Sequence, residues 1–302
     1  MGTRGPTVRS NPFPPRQEAR LVRRLIAQLA HDWELLLGVV LFGLIVLLAV
    51  FGGWLWREDP LRVDILNSLL PPDLAHPMGT DDVGRDVLAR FIRGAQVSMG
   101  VAISVTIAGT LIGGTLGLLA GLIGGWFDVV VSRIMDAILA FPPLILAMAV
   151  AIGLGQGIVS AGIGVILAAI PWYFRLLRSE VLRLRTLMYV ESAQALGASS
   201  FRLIRLHILP QTTSTIFIQA SSVFGFSILT LAALGFVGLG IQPPTPEWGT
   251  MITEGLAYAL TGQWWLGFFP GLGIFILAVS ANLIADRLRD IYDPKSGARL
   301  SI

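Results

Sequence analysis

Tyr189-Val-Glu-Ser-Ala-Gln-Ala-Leu-Gly-Ala-Ser-Ser-Phe-Arg-Leu-Ile-Arg-Leu-His-Ile-Leu-Pro210 is a charged, amphipathic interruption in a chain dominated by long apolar runs. Leu184, Leu187, Met188 and Ala195 fall close to one helical stripe. Gly197 suits the left-handed backbone that stops a helix, and Ser199 or Ser200 can cap the next one. Phe201, Ile204 and Ile208 give the second short helix its own apolar face, which Pro210 is expected to end. The spacing therefore predicts a helix, glycine corner, helix unit outside the bilayer. Two readings fit it. The unit can rest on lipid headgroups, which Arg183, Arg185, Arg202 and Arg205 suit, or insert its apolar stripe into a groove on a soluble partner. Spacing alone does not choose between them.

The rest of the chain sets the class. A mean hydropathy of +0.73, with 54% hydrophobic and 14% charged residues, is far from a soluble domain and reads as an all-α, polytopic membrane protein. The sequence has no cysteine, so disulfide and thiolate chemistry are excluded. The formal charge of +3 comes mostly from arginines near the ends of apolar spans, a pattern of membrane orientation that gives no reason to expect nucleic acid.

Residues 1–34 read as a basic, proline-containing cytoplasmic tail. The run over 35–56 is too long for a signal-peptide core of about 7 to 15 residues and is a first transmembrane helix, with Trp33, Trp54 and Trp56 at its interfaces. Residues 57–93, rich in Asp and Pro, form an extracytoplasmic loop. Within the loop, His76, Asp81, Asp82 and Asp86 resemble a metal-ligand set. One His with loosely spaced carboxylates is common by chance, so the structural alternative is preferred: Thr80 or Asp81 starts a helix, Gly84 relaxes a turn and Arg85 pairs with an acid.

Residues 94–290 form a core of five further transmembrane helices, with the amphipathic loop at 178–211 and a cytoplasmic tail at 291–302. From Ala95 to Phe127 there is no charge, and Gly109, Gly113, Gly117, Gly121 and Gly125 recur at every fourth position. Small residues at this spacing let another helix approach closely where lipid supplies no hydrophobic drive. Asp128, Arg133 and Asp136 mark a short turn and the start of a third span running to about Gly153, kinked at Phe141-Pro-Pro143, with Arg133 and Asp136 able to pair. The fourth is Ile158 to Phe174. The fifth, Gln211 to Gly240, carries Ser221, Ser222, Ser227 and Thr230, whose hydroxyls bond within or between helices or line a polar path. The proline-rich loop Gln242–Gly249 puts Trp248 at an interface, and the sixth span is Trp264 to Ala285. Arg175, Arg178, Arg183 and Arg185 lack the every-third-residue spacing of a voltage sensor and read as positive-inside flanks. With both termini inside, the inner segments hold 17 of the 22 Lys and Arg and the outer loops five.

Glu191-Ser-Ala, Gly197 after three intervening residues, and His207-Ile-Leu-Pro210 after nine more resemble the EAA motif of ABC importer permeases. Ser192 stands for the motif's second-position alanine and His207 for its isoleucine. Three further segments agree with the dipeptide, oligopeptide and nickel group: His76-Pro-Met-Gly-Thr-Asp-Asp-Val-Gly-Arg-Asp86, Gln242-Pro-Pro-Thr-Pro-Glu-Trp-Gly249 and Asp290-x-x-Asp293-Pro. The resemblance implies a type I importer permease fold in a prokaryotic inner membrane. Its implied partners are a homologous second permease subunit, two cytoplasmic ABC ATPase subunits, an extracytoplasmic solute-binding protein and membrane lipid.

The resemblance also implies that the ATPase-coupling loop uses Glu191, Ser192, Ala193, Gly197, Ala198, Phe201, Ile204, His207, Leu209 and Pro210. The expected cargo is a peptide, with nickel or another small solute as the alternative. No P-loop occurs in the sequence; no cofactor, metal or catalytic residue is therefore expected on this chain, and ATP and Mg belong to the partner subunits. An ion-coupled carrier would need acids within the membrane, which the spans lack apart from Asp136. An inert scaffold predicts no ATPase partner.

Overall fold

The computed structural model describes residues 32–292, which are almost entirely helical, with no strand among them beyond an isolated bridge between Thr80 and Asp86. The elements are α1 (Trp33–Leu55), α2 (Val87–Gly109), α3 (Thr115–Ile123), α4 (Gly125–Leu139), α5 (Pro143–Leu154), α6 (Ile158–Leu184), α7 (Met188–Ala195), α8 (Ser200–Leu203), α9 (Leu209–Phe236), α10 (Trp248–Ala259) and α11 (Trp265–Tyr292). Five spans are long and apolar enough to cross a membrane, because short π turns at Thr110–Gly114 and Ile204–Ile208 join α2 to α3 and α8 to α9. The sixth is the pair α4 and α5, bent by 89°. The third span is thus broken at Phe141-Pro-Pro143 rather than kinked, because two successive prolines remove two amide donors and Pro143 restarts a helix at its first position.

One core joins α1, α2, α9, α10 and α11 around Phe91, Trp248 and Leu277; a second joins α2, α5, α6 and α9 around Val105, Val165 and Leu234. Glycine lets the second form. A Cβ on Gly113 would lie 2.4 Å from the Ile170 carbonyl oxygen, and one on Gly117 2.5 Å from that of Phe174. Gly109 and Gly121 meet Tyr173 and Val181 at 2.9 and 2.8 Å, so four glycines on α2 and α3 all receive α6. Gly125 is not in this row: Gly124 and Gly125 both have positive φ, the helix breaks there, and Gly125 faces open space.

Ion pairs fix the remaining geometry. Arg287 near the end of α11 bonds Glu34 and lies 3.5 Å from Asp32, which caps α1, so the beginning of α1 and the end of α11 share one face. Asp136 of α4 pairs with Arg175 of α6 at 2.7 Å, not with Arg133, and Asp128 takes Arg178 at 2.7 Å. The tertiary neighbour displaces the expected pairing within one helix.

Candidate coupling site and the cap at the opposite end

The unit spanning Met188 to Pro210 is built by three local devices. Its first helix, α7, ends in a Schellman motif: Ala198 N donates to the Ala193 carbonyl and Gly197 N to that of Gln194, both at 3.0 Å. Gly197 takes φ +82° with nothing within 4 Å, so backbone conformation alone requires glycine there. Ser199 then caps α8, its hydroxyl accepting from Arg202 N at 3.4 Å. The second helix does not stop at Pro210. The chain passes through the π turn Ile204–Ile208 into α9, with Pro210 in the first turn of α9. The π turn, with its wider hydrogen-bonded ring just ahead of the proline, is the local adjustment that accommodates the missing amide within a continuing helix.

Burial sorts the apolar residues differently from a simple stripe. Val190, Leu203 and Ile208 point inward, and Ile208 joins Val181 and Leu184 in a small cluster against Leu118 and Leu122 of α3. Met188, Leu196 and Phe201 point outward and are 82%, 89% and 70% exposed. Phe201 and Ile208, expected on one face, lie on opposite sides. Glu191 and Ser192 are exposed in the first turns of α7, where a carboxylate suits the positive helix end. Ala193, Ala198, Ile204 and His207 are half-buried, and the His207 ring lies 6.1 Å from Tyr189 across the corner. Leu209 and Pro210 are exposed at the root. The result is a small knob with exposed apolar side chains, an exposed acid in its first turn and a core of its own.

At the other end of the spans the chain closes on itself. Trp248 is fully buried, not interfacial: its indole donates to the Phe91 carbonyl at 3.1 Å and its ring stacks on Phe91. Glu247 caps α10, accepting from Gly249 N, Thr250 N and the Ser98 hydroxyl; burial pushes its carboxyl up and these donors oppose that. Arg90, 2% exposed, bonds Glu254 at 2.8 Å and approaches Asp81, which also holds Arg85 at 2.6 Å. Burial likewise raises the Glu254 carboxyl, against the pull of Arg90 and Arg85. Helix α2 begins at Val87, not at Thr80 or Asp81. Asp86 caps it through Ala89 N and also takes His76 Nδ1 at 2.8 Å and Trp56 Nε1 at 2.9 Å. The carboxylates of the metal-like segment are thus held by protein donors.

Sequence reasoning missed α10, its Glu247 cap and the Arg90–Glu254 pair. A Glu directly after the last proline of Gln242–Gly249 was the available signal for a helix start.

Residues 113–297 match the family described as binding-protein-dependent transport system inner membrane component. The chain belongs to this family. It is 42% identical over 262 residues to the probable D,D-dipeptide transport system permease protein DdpC of Escherichia coli (strain K12), covering 87% of this chain and 88% of that one. The dipeptide transport system permease protein DppC of Alkalihalophilus pseudofirmus is 37% identical over 96% of both chains. The glutathione transport system permease protein GsiD of Shigella flexneri is 42% identical over 83% of both. Among solved structures, an inward-facing form of the MetNI methionine ABC transporter matches with a TM-score of 0.55 at 20% identity, over 68% of this chain and 98% of that one, a likeness of fold. The protein is therefore a multi-pass inner-membrane permease of a binding-protein-dependent importer.

Proposed function

We propose that this permease imports peptides or similar small solutes, and that its Met188–Pro210 unit docks on one of two cytoplasmic ATPase subunits. ATP and Mg are handled there; this chain contributes half of the path, beside a homologous second permease, and receives solute from an external binding protein. Both termini lie inside, with Gln242–Gly249 and the His76 segment outside. The observation that carries the docking is the knob itself. Met188, Leu196 and Phe201 are exposed, as is Glu191, on either side of a corner that a positive φ at Gly197 makes. A partner groove would bury those apolar side chains. The names of the relatives, dipeptide and glutathione permeases, favour short peptides over nickel as cargo.

Reconstitution of the complete importer tests this. Gly197→Val places a β-branched residue at φ +82°, a strain on the order of 1–3 kcal/mol, and Glu191→Lys reverses the exposed charge in the first turn of α7. Both variants should reach the membrane at normal levels and lose binding-protein-stimulated ATP hydrolysis, Gly197→Val more completely. Wild-type stimulation in both would mean that this unit transmits nothing. A thiol introduced at Ser199 should label from the inner side alone, and one at Asp73 from the outer side alone; the reverse pattern overturns the orientation.

A further inference from the structure

The hydroxyls of α9 satisfy themselves. Ser221, Ser222, Ser227 and Thr230 donate to the carbonyls four residues back, Phe217, Ile218, Val223 and Phe226. Gln219 on the same span does not: its amide has no hydrogen-bond partner among the described residues, and neither has the indole N–H of Trp172 on α6. Trp172 lies one turn before Arg175, where the apolar run of α6 ends, and Gln219 lies two turns before Gly225, which packs on Ala281 and Asn282 of α11. The two unused donors therefore sit towards the charged end of α11.

They share a cavity of about 250 Å³ with Ser222, Val223, Phe226 and Arg289. Arg289 is 60% exposed, and among the described residues its contact is a loose one to Asp286 at 3.4 Å, which uses one of its five N–H donors. It enters from the charged end of α11, the end that lies with the start of α1. An amide without a partner is costly wherever hydrocarbon replaces water. Trp172 is 51% exposed beside it.

We infer that Gln219, Trp172 and Arg289 form a donor-lined station on the solute path, which holds acceptor-rich solutes, those with peptide carbonyls and a terminal carboxylate, as they leave towards the coupling-unit end. Val223 and Phe226 supply an apolar wall for the solute's side chains. The inference rests on the permease reading above and adds to it where the cargo is held and by what chemistry.

The absence of cysteine from the sequence makes single thiols clean reporters. In inside-out vesicles holding the complete importer, Gln219→Cys should react with a membrane-impermeant thiol reagent at a rate comparable to Ser199→Cys, while Phe275→Cys stays unreacted. Alanyl-alanine and glutathione, delivered by the binding protein, provide the second reading. Gln219→Leu and Arg289→Gln should lower solute moved per ATP hydrolysed roughly tenfold, the scale of one charged hydrogen bond, with stimulated ATP hydrolysis retained. A merely structural role would lower transport and hydrolysis together and leave their ratio unchanged, and that result overturns the station. So does an unreactive thiol at 219. Reactivity in the isolated subunit that vanishes in the importer assigns the surface to packing against the second permease, and also overturns it. A wild-type importer that moves neither solute while residue 219 still labels counts against the peptide reading of the preceding section and supports a water-filled station.

Discussion

The two ends of this bundle solve opposite problems. At the end built on Trp248, large polar and aromatic groups are turned inward: Trp248, Arg90 and Glu247 are nearly inaccessible, and their partners come from α2, α9, α10 and the loop before Val87. At the Met188–Pro210 unit, three large apolar side chains are turned outward on a core of only a few residues. An end that satisfies its own groups holds its shape alone. An end that leaves apolar surface uncovered is shaped for something else to complete it. Stability and transmission should therefore separate along the molecule, with cap substitutions costing folding and knob substitutions costing activity.

The most damaging change should be Trp248→Ala. It removes a fully buried aromatic ring and its bond to Phe91, a loss of about 3–5 kcal/mol for a well-packed site. The folded subunit recovered in detergent, and its melting temperature, should fall sharply; an unchanged melting temperature would show that the cap is not self-supporting. Next comes Gly117→Ile, which drives a branched side chain into the Phe174 backbone and should lower assembled complex by an overpacking cost of about 1–3 kcal/mol or more. Leu111→Ile, on an exposed position nearby, should leave assembly as it is. The smallest effect on stability should be that of Phe201→Ser, within about 0.5 kcal/mol for an exposed position. The same variant should lose binding-protein-stimulated ATP hydrolysis. If Phe201→Ser unfolds the subunit instead, the contrast between the ends collapses.

How far the sequence carried follows from the same contrast. The spans were legible because bilayer thickness imposes apolar length, and the corner because Gly197 and Ser199 carry local backbone chemistry that needs no tertiary partner. What escaped was decided between distant elements. Trp248 read as interfacial because tryptophan usually is, and only Phe91 on α2 makes it a core residue. Asp136 has an arginine one turn away, yet Arg175, in another helix, takes it. Pro210 read as a stop because the π turn that admits it leaves no mark on the apolar pattern, and Gly125 continued a row in sequence that the Gly124 break ends in space. In the Met188–Pro210 unit the motif located the residues, but which apolar side chains face inward followed from the cluster beneath, with Leu118 and Leu122 sixty or more positions away in the chain.

That same π turn has a mechanical side. Because the chain never stops between α8 and α9, Ser200–Phe236 is one unbroken 37-residue span, a rod of about 55 Å at the ordinary helical rise. Its lower tip is the capped corner beside Gly197, and near its upper tip Gly235 lies so close to Glu247 that a single added carbon would sit 2.6 Å from the carboxylate oxygen. A tilt at the corner would therefore arrive beside Glu247 as a displacement of the helix-capping acid, because the lever arm is cut from one piece.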